Sequence, residues 1–508
     1  MTDETYWYDE LAPEAVAEAR TIVHAFCDCG IEIGGCPDDA EEDDDVEPDG
    51  IAYMYAKGHL LVREQYLGGA GGAREPQPVD RPIRQRGVLD VLRENRIGEV
   101  EVGRVVRDIV LLRWDPHRGK DTDAGEPPDV PALLEDIDAE LGVGIATPDH
   151  VVTAAHWTPC SASEPGPVFP TMGPYPPLCR AGGARVRIFV ADTGLVEHAA
   201  ADFPWLAGVH GDTDPLNPDG TIPPYRGHGT FVAGVLRALA PDARVHVENI
   251  FDTAGSALES DFVIRLNEAF RFGFEILHLT ASCTTRKNVQ LQALETWLEL
   301  LRSYQGVVCV APAGNNYTRR PCWPAAFSDV LSVGALATDE QHRADFSNYG
   351  GWVDVYAPGE KLINAFGHGM YRYQVPPNTG EARFTGLTEW SGTSFSAPIV
   401  TGLIAARMAR CGESAREAAE ALLAKARCQA IPGVGPVLFP DCGGDCGHCR
   451  GEHRGCECHR GCGCNCRCGC GGGCGCGGGH GGDGGAHLAG RPPGCKPSPE
   501  PAPSGPPR

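Results

Sequence analysis

Four polar side chains of this 508-residue chain stand where apolar runs end or where helices begin. Asp192 closes VRIFVAD, Asn315 follows GVVCVAPAG, and His228 lies between two glycines in YRGHGTF. Ser394 opens the helical stretch SGTSFSAPIVTGLIAARMA, where the positive end of a helix favours an approaching negative charge. These residue types fit nucleophilic catalysis by serine. That chemistry needs a base for the hydroxyl proton, an acid that orients the base, and a donor for the oxyanion.

Each of these residues alone has a simpler structural interpretation. An aspartate after a strand is more often a turn or helix cap, a histidine between glycines can be structural, and a serine before a helix is most often an N-cap. The order Asp, His, Asn, Ser along one α/β pattern is what makes the set specific for a catalytic site.

The surrounding pattern predicts the elements that would position these residues. From Val186 to about Arg427, short apolar runs alternate with amphipathic stretches, which indicates a parallel sheet with helices on both faces. The chemistry of such a fold lies at the carboxyl ends of its strands. The predicted organisation is an acidic segment (1–50), a small α+β domain (51–158), a Pro/Gly-rich linker (159–184), the α/β domain (185–430) and a Cys/Gly/His-rich tail (440–508).

Four stretches of the α/β domain resemble a known family. ADTG, GHGTFVAG, APAGNN and SGTSFSAP are similar to the Asp, His, Asn and Ser segments of subtilases, the subtilisin-like serine peptidases. CWPAAFSDVLSVGA and DFSNYGGWVDVYAPG agree with the framework between the last two. The resemblance covers about half of the chain. It implies a subtilisin-like fold and a serine endopeptidase that hydrolyses peptide bonds through an acyl-enzyme.

The resemblance also implies a role for each residue. Ser394 would be the nucleophile, His228 the general base and then acid, and Asp192 the group that orients the imidazole. Asn315 would donate to the oxyanion together with the backbone N–H of Ser394. Substrate contacts are expected at Ala281, Ser282, Ala313 and Gly314.

The substrate cleft departs from the family pattern. Where Ser-Leu-Gly-Gly is usual, the chain has LTASCTT, so Ser282 and Cys283 stand at the position of a glycine pair. This puts the extended pairing of substrate and the shape of the S1 pocket in question. Cys322, just before WPA, is expected to be a buried small hydrophobe rather than a regulatory thiol. No calcium-binding loop can be identified, and calcium binding stays open.

Another histidine, His156 in VVTAAHW, resembles the general-base segment of chymotrypsin-type proteases. Such a protease would need a downstream serine in a Gly-Asp-Ser-Gly-Gly context, which the sequence lacks. The sequence that follows is also α/β, whereas that fold needs two β-barrels. We therefore interpret His156 as a strand-end residue just before the linker.

Two interpretations of the α+β domain at 51–158 stay open. Many subtilases carry an N-terminal propeptide that packs on the catalytic domain and blocks its cleft, followed by a cleavable linker. The alternative is a permanently attached recognition module, which a processed N-terminus near residues 160–185 would exclude.

Composition limits the partners. A net charge of −25 would repel nucleic acid and anionic membranes, so we expect neither, and expect a protein or peptide substrate. The acidic N-terminus has no apolar signal region, and no apolar run is as long as a membrane span. The expected location is therefore cytoplasmic by default, with export by another route and the oligomeric state left open.

The tail is a separate chemical problem, because 13 of the 23 cysteines lie between Cys442 and Cys495. Its C-x-C and C-x-x-C spacings with interleaved histidines suit Zn²⁺ or Cu⁺, and resemble metallothioneins in spacing only. A flexible extension with incidental metal affinity explains it equally well, so no metal ligands are assigned. Catalysis itself would need no cofactor. The competing class of function is a catalytically silent subtilase-fold interaction protein with a metal-binding tail.

Overall fold

The structure is a computed structural model, and all the residues it describes fall within one compact unit. The described residues are 22, 26, 30–34, 53–68, 86–116, 128–154, 164–169, 172–180, 184–251, 255–373 and 380–440. His156 and the Cys/Gly/His-rich tail lie outside them, as does most of the acidic segment. None of the described helices is both long and apolar enough to cross a membrane.

The N-terminal domain is an antiparallel sheet covered on one face by two helices. Its strands are β1 (Ile31–Gly34), β2 (Tyr53–Arg63), β3 (Glu101–Val106), β4 (Ile109–Arg113) and β5 (Ala146–Thr153), and its helices are α1 (Val88–Glu94) and α2 (Val130–Leu141). The order is β5-β2-β4-β3, with β1 paired to β2. Leu60 and Leu112 of the sheet pack against Leu92 and Leu133 of the two helices. The predicted α+β character of this domain is what the structure shows.

Two strands of this sheet were not predicted. β1 lies within the segment predicted as an acidic extension, and pairs Ile31–Gly34 with Tyr53–Ala56. Four residues beside an acid run are too few to show a strand period, so the structured part begins earlier than the predicted boundary at residue 51. β3 was missed because its outer half is exposed on both faces and lacks apolar alternation.

The second domain contains a seven-stranded parallel sheet. Its strands are β7 (Arg187–Asp192), β8 (His210–Gly211), β10 (Arg244–Asn249), β12 (Ile276–Leu279), β13 (Val308–Pro312), β14 (Val330–Leu336) and β15 (Val355–Pro358). They lie in the order β15-β14-β13-β12-β7-β10-β8. All residues of β12, β14 and β15 are buried, which explains their continuous apolar runs.

Helices cover both faces of this sheet, as predicted. After the four-residue α3 (Ala199–Asp202), they are α4 (His228–Leu239), α5 (Glu259–Phe272), α6 (Gln292–Leu301), α7 (Thr393–Cys411) and α8 (Ala415–Cys428). Because strand side chains alternate between faces, Val190 enters the core with Phe231 of α4, and Phe189 enters the opposite core with Phe262 of α5. The predicted subtilisin-like α/β fold is confirmed.

A smaller sheet joins the predicted linker to the second domain. β16 (Leu362–Arg372) and β17 (Glu381–Trp390) form a long hairpin, flanked by β9 (Thr221–Ile222) and β6 (Gly166–Pro167). The Thr388 hydroxyl donates to the Gly166 carbonyl at 2.7 Å, and the Tyr175 N–H donates to the Ile363 carbonyl at 2.7 Å. This part of the Pro/Gly-rich segment therefore packs on the second domain, since proline and glycine mark an irregular backbone and do not by themselves make it independent.

Candidate active site

The carboxylate of Asp192 and the imidazole of His228 form a buried pair. Asp192 ends β7 and His228 begins α4. His228 Nδ1 lies 2.9 Å and 3.1 Å from the two carboxylate oxygens, and both side chains are fully buried. The Thr280 hydroxyl at 2.5 Å and the Thr193 N–H at 2.7 Å also donate to the carboxylate. An ionised Asp192 accepts from Nδ1–H, which leaves Nε2 of the imidazole as a proton acceptor.

Two side chains fix the backbone on both sides of His228 by hydrogen bonds. Asp214 Oδ2 accepts from the Gly227 N–H at 2.9 Å, and the Thr193 hydroxyl accepts from the Gly229 N–H at 3.2 Å. Gly227 has φ = 87°, and a Cβ there would lie 2.8 Å from the Phe366 ring. Burial raises the pKa of Asp214 to about 6, although the Gly227 N–H works in the opposite direction.

Aromatic rings enclose the imidazole. Trp390 meets His228 edge-on with centroids 5.3 Å apart, and the Phe395 ring lies 5.1 Å away. Phe395 follows Ser394 in α7, so the helix that carries the serine also contacts the histidine. These rings exclude water and strengthen the electrostatic interaction of His228 with Asp192.

The amide of Asn315 is oriented by the residue that precedes Ser394. Asn315 Oδ1 accepts from both the backbone N–H and the hydroxyl of Thr393, at 2.8 Å each. The same hydroxyl accepts from the Gly314 N–H at 3.0 Å. With its oxygen held by Thr393, Asn315 directs its NH₂ group to the other side, and such a donor is what an oxyanion requires.

The hydroxyl of Ser394 faces the end of the N-terminal domain. Ser394 is the second residue of α7, and its Oγ donates to the carbonyl oxygen of Ala154 at 3.0 Å. Ala154 follows directly after β5. Among the described residues, His228 Nε2 has no hydrogen-bond partner. The Ser394 hydroxyl therefore donates its proton to the Ala154 carbonyl oxygen, while Nε2 of His228 receives no hydrogen bond from the described residues.

The segment Val151–Ala154, which we call the cleft strand, lies between two stretches of the second domain. On one side, β11 (Ser256–Leu258) pairs antiparallel with it and joins the N-terminal sheet. The Ala154 N–H also donates to the Gly255 carbonyl at 2.8 Å. On the other side, Thr153 and Ser282 exchange backbone hydrogen bonds of 3.1 Å and 2.9 Å. Ser282 of LTASCTT thus pairs in extended form with the protein's own cleft strand, and its pairing with a substrate stays a prediction.

The other predicted substrate contacts lie behind or beside this strand. Ala281 is buried in the apolar core that also takes up Ala154. The Ala313 carbonyl accepts from the Asn348 side chain at 2.9 Å, and a Cβ at Gly314 would lie 3.2 Å from Ser282 Oγ. These three positions shape the wall of the cleft, and Ser282 alone of the four shares backbone hydrogen bonds with the cleft strand in the described structure.

Cys322 lies against this wall. Its sulfur is 3.3 Å from Ser282 Oγ and is fully buried. Burial raises the pKa of Cys322 to about 11, so the side chain is a neutral thiol at ordinary pH. This agrees with its interpretation as a small buried residue.

Sequence reasoning missed several residues of the site. Asp214 and Thr280 act on the catalytic candidates only through the fold, whereas Thr193 and Thr393 stand inside the Asp and Ser segments, beside Asp192 and Ser394, and their contacts were not predicted. The cleft strand was predicted as a strand at the end of the N-terminal domain, but its entry into the cleft was not predicted. A search for an apolar strand at the end of the N-terminal domain that could enter the cleft would have found it.

The fold and this arrangement of serine, histidine, aspartate and asparagine define the class of serine peptidases. The chain belongs to the subtilase family: the subtilase family model matches residues 183–434. This confirms the family and the enzyme class predicted from the sequence motifs. In the described part of the chain, no group of three or more His, Cys, Asp or Glu side chains could hold a metal ion.

Two curated sequence relatives agree with this assignment. A thermophilic serine proteinase of Bacillus sp. (strain AK1) is 30% identical over 297 residues, which cover 54% of this chain and 66% of the relative. Thermitase of Thermoactinomyces vulgaris is 29% identical over 247 residues, covering 46% of this chain and 78% of thermitase. Among solved structures, the patellamide maturation protease PatA is 28% identical, with 48% of this chain and 88% of PatA covered and a TM-score of 0.38.

Proposed function

We propose that this chain is a serine endopeptidase in which Ser394 attacks a peptide carbonyl while His228 accepts the hydroxyl proton. Asp192 holds the imidazole and stabilises its protonated form, and Asn315 donates to the oxyanion together with the backbone N–H of Ser394. His228 then returns the proton to the leaving amine, and water hydrolyses the acyl-enzyme by the same path in reverse. The Asp192–His228 hydrogen bonds support these roles.

We further propose that the N-terminal domain is an internal inhibitor, and that the cleft strand binds as a substrate would. The single observation that carries this proposal is the 3.0 Å hydrogen bond from Ser394 Oγ to the Ala154 carbonyl oxygen. An antiparallel strand held on both sides is the usual way for a protease-type cleft to bind an extended peptide. The domain therefore acts as a propeptide rather than as a permanent recognition module.

The proposed domain boundary differs from the linker at 159–184. Residues 164–169 and 172–180 pack on the second domain, whereas the Ala154 carbonyl lies at the nucleophile. We expect the chain to cut itself at the bond after Ala154 or the next one. For the cut, Ser394 Oγ turns from the Ala154 oxygen toward His228 Nε2 and then attacks the carbonyl carbon.

A fluorophosphonate probe on the purified full chain, followed by intact mass analysis, tests this proposal. We expect one label on Ser394, no label on Ser394→Ala, and a new N-terminus at Ala155 or His156 in wild type only. Equal labelling of wild type and Ser394→Ala, or none of either, would overturn the peptidase and favour the silent interaction protein. Labelling with no cut near Ala154 and none near residues 160–185 would overturn the propeptide role alone.

A further inference from the structure

The residue that precedes the cleft strand, His150, is fully buried between the two domains. The backbone N–H of Arg286 donates to its Nε2 at 3.3 Å, and its Nδ1 lies 4.0 Å from Glu259 Oε2. Both partners belong to the second domain. A nitrogen that accepts a hydrogen bond carries no proton, so the ring binds in its uncharged form with the proton on Nδ1, on the side of Glu259.

Glu259 has one satisfied and one free carboxyl oxygen. Its Oε1 accepts from the Ala293 and Leu294 N–H groups at the start of α6, at 2.7 Å and 3.2 Å. Within the described structure, neither Glu259 Oε2 nor His150 Nδ1 has a hydrogen-bond partner. Buried polar groups without partners are costly, so these two facing atoms restrict which side chain and which protonation state can occupy the site.

The surroundings favour the uncharged form of both groups. Burial, with a smaller contribution from Arg286, lowers the pKa of His150 to about 3. Burial, followed by the charge of Asp149, raises the pKa of Glu259 to about 8. The titratable and charged groups around the pair are Tyr53, Tyr55 and His59 on β2, Asp149 on β5, Asp138 and Glu135 on α2, Asp261 on α5, Cys283 and Arg286 beyond β12, and Glu295 on α6.

Asp149, beside His150 in β5, makes a second polar contact with the second domain. Its two carboxylate oxygens accept from the N–H and the hydroxyl of Ser260, at 3.0 Å and 2.7 Å, and so cap the first turn of α5. The cap fixes the register of β5 on the second domain, which brings His150 to Glu259 and Ala154 to Ser394.

We propose that Glu259 and the backbone N–H of Arg286 form a subsite that binds an uncharged histidine side chain four residues upstream of Ala154, and that this subsite holds the N-terminal domain in the cleft. The inference rests on the inhibitor role proposed above and adds the chemistry that the cleft selects. Because of this subsite, occupation of the cleft depends on the protonation of two groups, His150 and Glu259.

The two dependences run in opposite directions. The pKa of His150 is lower in the bound state than its ordinary 6.5, so binding is complete above pH 6.5 and weakens as the pH falls toward 3. The pKa of Glu259 is higher in the bound state than its ordinary 4.5, so binding is complete below pH 4.5 and weakens as the pH rises toward 8. Each titration changes the binding constant of the N-terminal domain in the cleft by at most about tenfold per pH unit. The domain is held most tightly between the two limits.

The test compares rates of fluorophosphonate labelling at Ser394 in the full chain, between pH 4 and 9, for wild type, His150→Gln and Glu259→Gln. Glutamine keeps a donor and an acceptor at each position but does not titrate, and the pH dependence of the labelling reaction itself cancels in the ratio of two rates. As the pH falls below 6.5, we expect the ratio of the wild-type rate to the His150→Gln rate to rise by up to about tenfold per pH unit. The ratio of the wild-type rate to the Glu259→Gln rate should rise as the pH increases from 4.5 to 8.

His59→Gln is the matched control, because His59 is the other histidine of this contact, 3.4 Å from Asp149. This variant should keep the wild-type pH dependence. Flat ratios for both test variants between pH 5 and 8 would overturn the subsite, as would a His59→Gln effect as large as that of His150→Gln. The two variants probe separate dependences, so either one suffices if the other does not fold. Absence of labelling in every variant would instead count against the proposed peptidase.

Discussion

At the scale of the residue, Asp214 is a carboxylate that supports His228 without a substrate-binding role of its own. Asp214 is buried beneath His228, holds the Gly227 N–H, and has its backbone carbonyl bonded to the Arg226 side chain at 2.7 Å. Its raised pKa means that folding disfavours its ionised form. A charged acceptor makes a hydrogen bond about twice as strong as a neutral one, so the anion fixes the start of α4 at a cost in stability.

We predict that Asp214→Asn stabilises the fold and slows the enzyme. The unfolded carboxyl ionises near pH 3.8 and the folded one near 6, so the gain should be absent at pH 3.8 and complete above 6. The difference between the two pKa values corresponds to roughly 3 kcal/mol. Denaturant unfolding in the Ser394→Ala background measures this gain.

The kinetic half of the same prediction uses the active chain. We expect kcat to fall about tenfold with KM nearly unchanged, because the imidazole and not the substrate is displaced. Thr193→Ser, which keeps the hydroxyl that holds Gly229, is the conservative control and should retain activity. An unchanged kcat in Asp214→Asn would contradict the positioning role.

At the scale of the element, the strand β5 belongs to one domain and ends in the cleft of the other. Through β11 it joins the N-terminal sheet to the second domain, so one six-stranded sheet crosses the contact. The Ala154 N–H donates to Gly255, and Ala257 lies opposite Val152. Because hydrogen-bonded pairs alternate along antiparallel strands, Ala257 and Val152 form the next such pair.

Ala257→Pro should therefore release the cleft strand. Proline removes the N–H that faces Val152 and cannot continue the ladder. We expect Ser394 in the uncut chain to be labelled several-fold faster, which matches the roughly 0.5–1.5 kcal/mol of one net hydrogen bond. Hydrolysis of long peptides should fall more than that of a small ester. Ala257→Ser keeps the N–H and should behave as wild type, and equal labelling of the two variants would contradict this use of β11.

At the scale of the whole molecule, ion pairs of two kinds join the domains. The Arg286 guanidinium is almost fully buried, and contacts Asp138 at 2.8 Å as well as Glu135. Lys287 is one-third exposed and lies 2.7 Å from Glu135 and 3.1 Å from Asp138. Exposed pairs contribute little, whereas loss of one partner from a buried pair leaves an uncompensated charge.

We predict that Arg286→Gln weakens the contact between the domains far more than Lys287→Gln does. The first change removes the buried partner of Asp138, which keeps only the partly exposed Lys287 at 3.1 Å, and should cost up to about 3 kcal/mol. The second should cost less than about 1 kcal/mol and shrink further at high salt. Labelling rates of Ser394 at low and high ionic strength measure both. Similar effects of the two substitutions would show that burial does not decide the strength of this contact.

Much of the fold could be predicted because its patterns are local. The buried strands VRIFVAD and VLSVGAL have continuous apolar runs, and VPALLEDIDAEL has helical spacing with an aspartate cap at its start. The strand β1 could not be predicted, because four residues carry no period of their own. The roles of Asp214 and Thr393 could not be predicted either, because each acts through a neighbour that is distant in sequence.

By itself, the sequence determined the family, the parallel sheet and the four candidates Asp192, His228, Asn315 and Ser394, since motifs and strand periods are properties of contiguous residues. The place of VVTAAHW in the molecule could not be read from its letters. Its first four residues pair with β11 and Ser282, more than 100 positions away in the chain, and bring a carbonyl to the Ser394 hydroxyl. Pairing between distant strands depends on register and on the packing of whole domains. No seven-residue stretch contains that information.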